Sequence, residues 1–242
     1  MLNHPFSVAA HFISSTVLTF ACPIKDLQKM IPPCLTLDTF QDKYAFIAIA
    51  LVRTKHLRPR GLPKWTGQDF ILSGYRIFVR YRDQRGKNLR GLYIIKSETN
   101  KKRMEIFGNF FTHYNYTTTD INYQQEGEKI KIFSNQSDYN FTYHESDKPI
   151  PLPAESPFED WKTARRYAGP LPFTFTYNAD SHLVTIIEGV RTNWKPQPVA
   201  VTDYHFNFLN TLPVSDVKLA NTFIIKDIPY YWKKGKTEIW KP

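Results

Sequence analysis

Short runs of aromatic and β-branched residues recur along this chain while helical periodicity is scarce, and residues 69–113 hold the runs that organise the rest, although neither face of them is purely apolar. Two runs rich in aromatic and β-branched residues flank a polar, glycine-containing turn at residues 84–88, which predicts a pair of antiparallel strands. Side chains alternate between faces along a strand, so Leu72, Gly74, Arg76, Phe78 and Arg80 share one side while Ser73, Tyr75, Ile77, Val79 and Tyr81 share the other. In the second strand Leu92, Ile94, Lys96 and Glu98 fall together, opposite Tyr93, Ile95 and Ser97. A lysine and a carboxylate on an otherwise apolar face either point into a polar cavity or mark where the strand leaves the sheet. A third strand-like run follows Asn100 and ends at His113.

Residues 15–21 predict a first strand and residues 23–31 a short helix. Pro23 suits its first turn, Leu27, Met30 and Ile31 form a small apolar face, and Pro32-Pro33 stops it. Residues 35–38 and 44–53 give two more strands. The proline-rich residues 146–154 predict an extended crossing loop. Residues 158–167 predict a short helix with Glu159 and Asp160 at its start and Arg165 and Arg166 at its end, the arrangement a helix dipole favours. Such a segment could serve as a lid or as a structural plug. The 17 prolines and 15% aromatic content agree with a mainly β chain, and 242 residues without repeats or low-complexity linkers predict one domain spanning 1–242. The pattern alone does not distinguish a barrel from a sandwich.

Charge narrows the partners. A formal net charge of +10 favours contact with anions. The charge is scattered, however, with clusters only at Lys101-Lys102-Arg103 and Lys233-Lys234-Lys236, beside predicted turns, and no nucleic-acid-binding motif accompanies it. Nucleic acid is therefore not an expected partner. Cys22 and Cys34 show neither metal spacing nor a disulfide framework, which suits a reducing cytosol. The amino terminus lacks a signal-peptide pattern and the longest apolar run, residues 44–52, is too short for a spanning helix, so a cytoplasmic protein without membrane contact is expected. The dispersed glycines form no phosphate loop, and Asp203, His205 and His182 lack the spacing of a metal site, so no cofactor and no metal are expected.

Residues 31–38, Ile-Pro-Pro-Cys-Leu-Thr-Leu-Asp, with a strand through Ile47-Ala48-Ile49, resemble the opening of acetoacetate decarboxylase and its relatives. Leu57-Arg58-Pro59-Arg60-Gly61-Leu62-Pro63 resembles a run in an uncharacterised bacterial branch of that superfamily, a domain of unknown function. Residues 158–167 with Arg165-Arg166-Tyr167, and Trp194-Lys195-Pro196, resemble the same branch. Leu209-Asn210-Thr211-Leu212-Pro213-Val214 is similar to the decarboxylase's Leu-Asn-x-Leu-Pro-Val. The shared order of these motifs spans nearly the whole chain. The resemblance implies an antiparallel, cone-shaped β-barrel with surrounding strands and a few short helices, enclosing a ligand cavity. It also implies a homo-oligomer, although no residue here transfers that property.

In that family decarboxylation runs through an imine on a lysine whose pKa is depressed by burial and a neighbouring cation. The matching segment here is Arg103-Met104-Glu105-Ile106-Phe107-Gly108-Asn109-Phe110-Phe111-Thr112-His113, with phenylalanines or their neighbours at the lysine positions. The family's glutamate precedes a Ser-Gly pair, and Leu72 precedes Ser73-Gly74 here; the expected arginine falls near Ile13. Acetoacetate decarboxylase activity is therefore not expected.

Arg76, in mid-strand between Gly74 and Phe78, suits an anchor for an anionic ligand, since a guanidinium pairs with carboxylates in fixed geometry. Its structural alternative is an internal ion pair with Glu105 or Glu188. Lys96 could supply an imine lysine if buried among apolar neighbours, or be a structural or surface lysine. His113 is a proton carrier in one reading and a packing residue in the other. The first functional reading is a binding module holding a small carboxylated or carbonyl-bearing molecule in the cavity, with Arg76, Lys96, Glu98 and Glu188 as candidate ligand contacts. The alternative is an enzyme acting on a small keto or organic acid by acid-base chemistry, with Lys96, Glu105, His113 or Glu188 as candidates. A filled structural barrel is a third possibility.

Overall fold

A computed structural model describes residues 2–146, 148–169 and 171–241. Its first half contains β1 (Val8–Pro23), α1 (Ile24–Leu27), β2 (Thr36–Leu37), β3 (Tyr44–Pro59), β4 (Gln68–Arg82), β5 (Asn88–Thr99) and α2 (Lys102–Phe111). There follow β6 (Tyr116–Thr118), β7 (Asn122–Glu126), β8 (Lys129–Ser134), β9 (Tyr139–His144) and α3 (Trp161–Ala164). The last third holds β10 (Phe173–Asn178), β11 (Leu183–Arg191), β12 (Gln197–Pro198), β13 (Ala200–Phe206), α4 (Asn207–Thr211), β14 (Lys218–Trp232) and β15 (Lys236–Ile239).

Strands β14, β1, β3, β4, β5, β10 and β11 are hydrogen-bonded in that order, and β11 returns to β14, so the sheet closes on itself as a ring. Closure leaves fewer unpaired edges than an open sheet would. The expectation of a mainly β fold holds, with one correction: the ring is mixed rather than wholly antiparallel. Phe173–Phe175 of β10 run parallel to Gly91–Tyr93 of β5, and β6 also runs parallel to β5. Parallel neighbours need a long crossover, and here the crossover contains α2, β6 to β9 and α3. Gly91 allows the close approach, because a Cβ there would lie 2.5 Å from the Phe173 carbonyl oxygen.

The two faces of the ring wall have separate partners. Tyr75, Ile77 and Val79 face outward and pack with Leu18, Ile49 and Phe141 in the larger apolar cluster. That cluster seats a second antiparallel sheet, ordered β13-β9-β8-β7, against the ring. Phe78 and Leu72 face inward with Phe46, Ala50 and Phe223. The period-two reading of β4 was therefore correct. The segment over residues 158–167 is the plug rather than a lid. Phe158 stacks on Phe46 at 5.5 Å between centroids and Tyr167 meets Phe46 at 4.3 Å, contacts worth roughly 0.5–1.5 kcal/mol each beyond their burial. The Tyr167 hydroxyl donates to the Thr39 carbonyl at 2.9 Å, and the Thr19 hydroxyl donates to the Tyr167 carbonyl at 2.8 Å. Asp160 caps α3 by accepting from the Thr163 N–H at 2.7 Å.

Residues 103–113, read above as a strand, form α2 and its exit instead. Met104 and Gly108, four apart, are the buried positions, and a Cβ on Gly108 would come 2.5 Å from the Tyr116 ring. The phenylalanines suggested β structure, but packing on Tyr116 decides the conformation. The short helix predicted over 23–31 is present as α1 followed by a 3-10 turn at Gln28–Met30. The crossing loop over 146–154 carries no helix or strand in its described residues, and Asp147 lies outside them. No helix among the described residues is long and apolar enough to cross a membrane.

Candidate functional site

A cavity of about 330 Å³ occupies the ring interior, within the range usual for small-ligand sites. It is bounded by inward residues of the wall such as Phe12, Val52, Leu72 and Ile94, and by Met104 and Phe111 of α2. Arg76 projects into it. The register places Ala48 of β3 and Ile94 of β5 opposite Arg76, with Ala50 opposite Gly74, so the β3 side beside it is lined by small residues. The guanidinium folds back over Gly74, where a Cβ would meet Arg76 Nη2 at 3.1 Å and Nε at 3.2 Å.

No lysine and no carboxylate lines this cavity among the described residues; its strong cations are Arg58, Arg76 and Arg103. Arg76 has no carboxylate within 4.0 Å among the described residues, and its Nε is buried without a hydrogen-bond partner. Burial pushes the guanidinium below its ordinary value, opposed by Tyr116, Tyr230 and Tyr114. Guanidinium groups in proteins stay protonated, so a positive charge stands in a largely apolar chamber. Burial also raises the three phenols, Tyr116 to about 12 against the pull of Arg76, which keeps them neutral at pH 7. The Tyr114 hydroxyl is buried beside Thr174. His4 lines the same chamber with an unpartnered Nδ1, and burial lowers its pKa against two backbone hydrogen bonds.

The other candidates are dispersed. Lys96 and Glu98 were assigned to one face with Ile94, but Ile95 is an extra residue opposite the Tyr75/Arg76 step of β4. This bulge turns Lys96 to the outer face while Ile94 stays in the cavity. Lys96 pairs with Glu98 at 2.7 Å, with side-chain exposures of 26% and 1%, and its ammonium sits 4.6 Å from the Phe208 ring centroid. The second Glu98 oxygen is buried there without a partner, and the Ser73 hydroxyl lies against the Tyr139 and Tyr75 hydroxyls. Glu188 pairs with Lys233 at 2.9 Å outside the ring, and Glu105 on α2 binds Lys102 at 2.6 Å and the Thr118 hydroxyl. Neither forms the ion pair considered for Arg76. His113 lies after α2, bonded through Nε2 to Asn3 at 2.8 Å, and does not line the cavity. Of the candidate residues read from the sequence, Arg76 alone lines the chamber.

Sequence reasoning missed Tyr114, Tyr116 and Tyr230. A signal existed in β14, where Ile228, Tyr230 and Trp232 alternate, but Tyr114 follows a helix that the sequence did not predict. His205 approaches Asp138 at 3.4 Å on the second sheet, whereas His182 contacts Tyr177 at the β10–β11 turn. Among the described residues no group of three His, Cys, Asp or Glu side chains is arranged to hold a metal. Both cysteines are buried and unpaired, and burial raises the thiols, Cys22 to about 12 and Cys34 to about 11.

A family model for DUF2071, described as an uncharacterised conserved protein, matches residues 11–225. No curated protein matches the chain. Among solved structures, acetoacetate decarboxylase from Legionella pneumophila superposes with a TM-score of 0.61 at 14% identity, covering 95% of this chain and 87% of that one. An acetoacetate decarboxylase-like enzyme from Sphingomonas wittichii RW1 gives 0.61 at 7% identity, covering 96% and 92%. The enduracididine biosynthesis enzyme MppR, in complex with pyruvate, gives 0.57 at 8% identity, covering 98% and 92%. Likeness at these identities is one of fold.

Proposed function

The chain belongs to the DUF2071 family, and on that premise we propose that it binds a small carboxylated or carbonyl-bearing molecule in the ring cavity, with Arg76 as the anchor. The observation that carries this reading is the unpartnered guanidinium. A buried donor left without an acceptor is disfavoured by about 1–3 kcal/mol, and a ligand carboxylate in bidentate contact offsets that penalty. The apolar and phenolic walls would hold the rest of a compact ligand, and the Tyr114 hydroxyl beside Thr174 would donate to a carbonyl.

The molecule does not act as an acetoacetate decarboxylase in this reading. An imine mechanism needs an amine at the substrate, and no lysine lines the chamber among the described residues. The acid-base alternative through Lys96, Glu105, His113 or Glu188 draws no support from the geometry, since none of the four lines the cavity.

Pyruvate is the first probe, because MppR of the same fold is described in complex with it. Calorimetric titration of ligand-free protein with pyruvate and other short keto acids is expected to give one-site binding that Arg76→Gln weakens at least tenfold. Binding untouched by that change would end the assignment. Borohydride trapping in the presence of acetoacetate, read by intact mass, is expected to leave every lysine unmodified.

A further inference from the structure

A second concavity, about 560 Å³, lies on the wall where β1, β3, β14 and β11 meet. Its lining carries Arg58, Arg60, Lys64 and Arg191 and, among the described residues, no carboxylate. Arg58 and Arg60, from the 57–63 run, and Arg191, which lies against Trp194, meet here. A left-handed turn at Gly61, with φ of 101°, brings the Leu62 carbonyl back to accept from Arg58 Nε at 2.8 Å. Arg58 Nη1 donates to the His56 carbonyl at 2.8 Å, which fixes this guanidinium at the cleft. Arg60 lies 4.3 Å over the Tyr231 ring and Arg191 4.1 Å over Trp194, so both planar cations are held by stacking, which leaves their edges able to donate.

None of the four cations has a carboxylate within 4.0 Å among the described residues, although both histidines of the cleft do. His11 meets Asp227 at 3.0 Å and His56 meets Asp69 at 4.0 Å. Arg191 Nε is buried with no partner, and burial pushes its guanidinium below the ordinary value against the pull of the Tyr230 hydroxyl. Four cations lining one concavity without a counter-charge raise its positive potential, which favours an external anion. A single carboxylate would neutralise one of the four. A phosphate carries close to two charges at neutral pH and three acceptor oxygens, which matches several donors converging from different strands. The volume suits a small molecule.

We propose that this cleft is an anion site beside the Arg76 chamber, with Arg58 and Tyr230 in the wall between them, and that it takes a phosphate-bearing small molecule through Arg191, Arg60 and Lys64 with Arg58 at its edge. Its occupancy does not depend on the reading of the chamber. The test is calorimetric titration of the full chain at low ionic strength with inorganic phosphate, pyrophosphate and phenyl phosphate. Saturable binding of at least one probe is expected, weakened tenfold or more by Arg191→Gln and at least threefold by Arg60→Gln. Arg76→Gln and the surface change Lys87→Gln, in the β4–β5 turn at the far end of β4 from the cleft, are expected to leave it unchanged. Tighter binding of phenyl phosphate than of inorganic phosphate upholds the assignment and points to a phosphate ester; the reverse upholds it with free phosphate as the ligand. No saturable binding, or equal losses in Lys87→Gln and Arg191→Gln, overturns it. If Arg191→Gln loses its cooperative melt, the exposed pair Arg60→Gln and Lys64→Gln carries the test, and unchanged affinity in that double variant likewise overturns the site.

Discussion

Replacing Arg76 by methionine should make the ligand-free protein more stable and the ligand-saturated protein less so. Methionine keeps an unbranched stem along the floor beside Gly74 and removes a charge that has no counter-ion among the described residues. The gain is the relief of an unsatisfied buried donor, about 1–3 kcal/mol, and the lower half of that range applies because the side chain keeps some accessible surface in the chamber. For a chain of this size roughly 1–2 kcal/mol corresponds to a rise in Tm of about 2–8 °C. A ligand at a hundred times its Kd adds about 2.7 kcal/mol to a protein that binds it and nothing to one that does not. The order of stability should therefore invert between dialysed protein and protein saturated with pyruvate. Urea unfolding in the two conditions measures both halves. A ligand-free Arg76→Met protein that melts below the wild type would mean that Arg76 has a structural partner, and the case for an empty anchor would fail with it.

Gly189→Ala places a Cβ within the van der Waals radius of the Tyr230 hydroxyl, so a loss of about 1–3 kcal/mol is expected in urea unfolding; a neutral result would show that this seam yields freely. Lys96→Met strands the buried Glu98 carboxylate, and a loss of roughly 2–3 kcal/mol is expected, below the usual span for a buried pair because Lys96 keeps a quarter of its surface in solvent. Pyruvate affinity should stay at the wild-type value in that variant, and a tenfold loss would bring Lys96 back as a ligand group. The Asp120 carboxyl is held below its ordinary pKa by the Ser134 hydroxyl and, after a smaller opposing effect of burial, by the N–H groups of Gln136 and Asn135. A depressed carboxyl stabilises fully above its unfolded value and loses that contribution as pH falls through the folded one. The stability gap between wild type and Asp120→Ala should thus be constant near neutrality and close below about pH 4, as urea midpoints across pH would show.

What could be read from the sequence was what repeats along the backbone. The alternation in β4 sorted Tyr75, Ile77 and Val79 from Leu72, Arg76 and Phe78, and the ring wall divides them the same way. The same rule failed in β5, because one inserted residue, Ile95, reverses every later side chain and leaves no mark in composition. Lys96 and Glu98 were misoriented for that reason alone. The strand assigned to residues 103–113 failed because Phe107, Phe110 and Phe111 carry β propensity, while the fit of Gly108 against Tyr116 is a tertiary fact. Arg76 could be singled out as a charge in an apolar run. Its lack of a carboxylate could not, since Glu105 and Glu188 were equally available until the fold committed them to Lys102 and Lys233.

The ring is stitched unevenly. β1 joins β3 and β14 along most of its length, whereas the β10–β11 hairpin is fastened by Phe173–Phe175 to β5 and by Gly189–Arg191 to β14. Each seam is three residues long, so the hairpin acts as a clasp, and Thr174 on it lines the chamber. Amide protons along these seams should exchange with deuterium well ahead of those in β1 and β3, because local opening there breaks few ladder bonds. Unfastening one edge of the clasp would uncover Thr174 and open the Arg76 chamber at that seam while most of the wall stays intact.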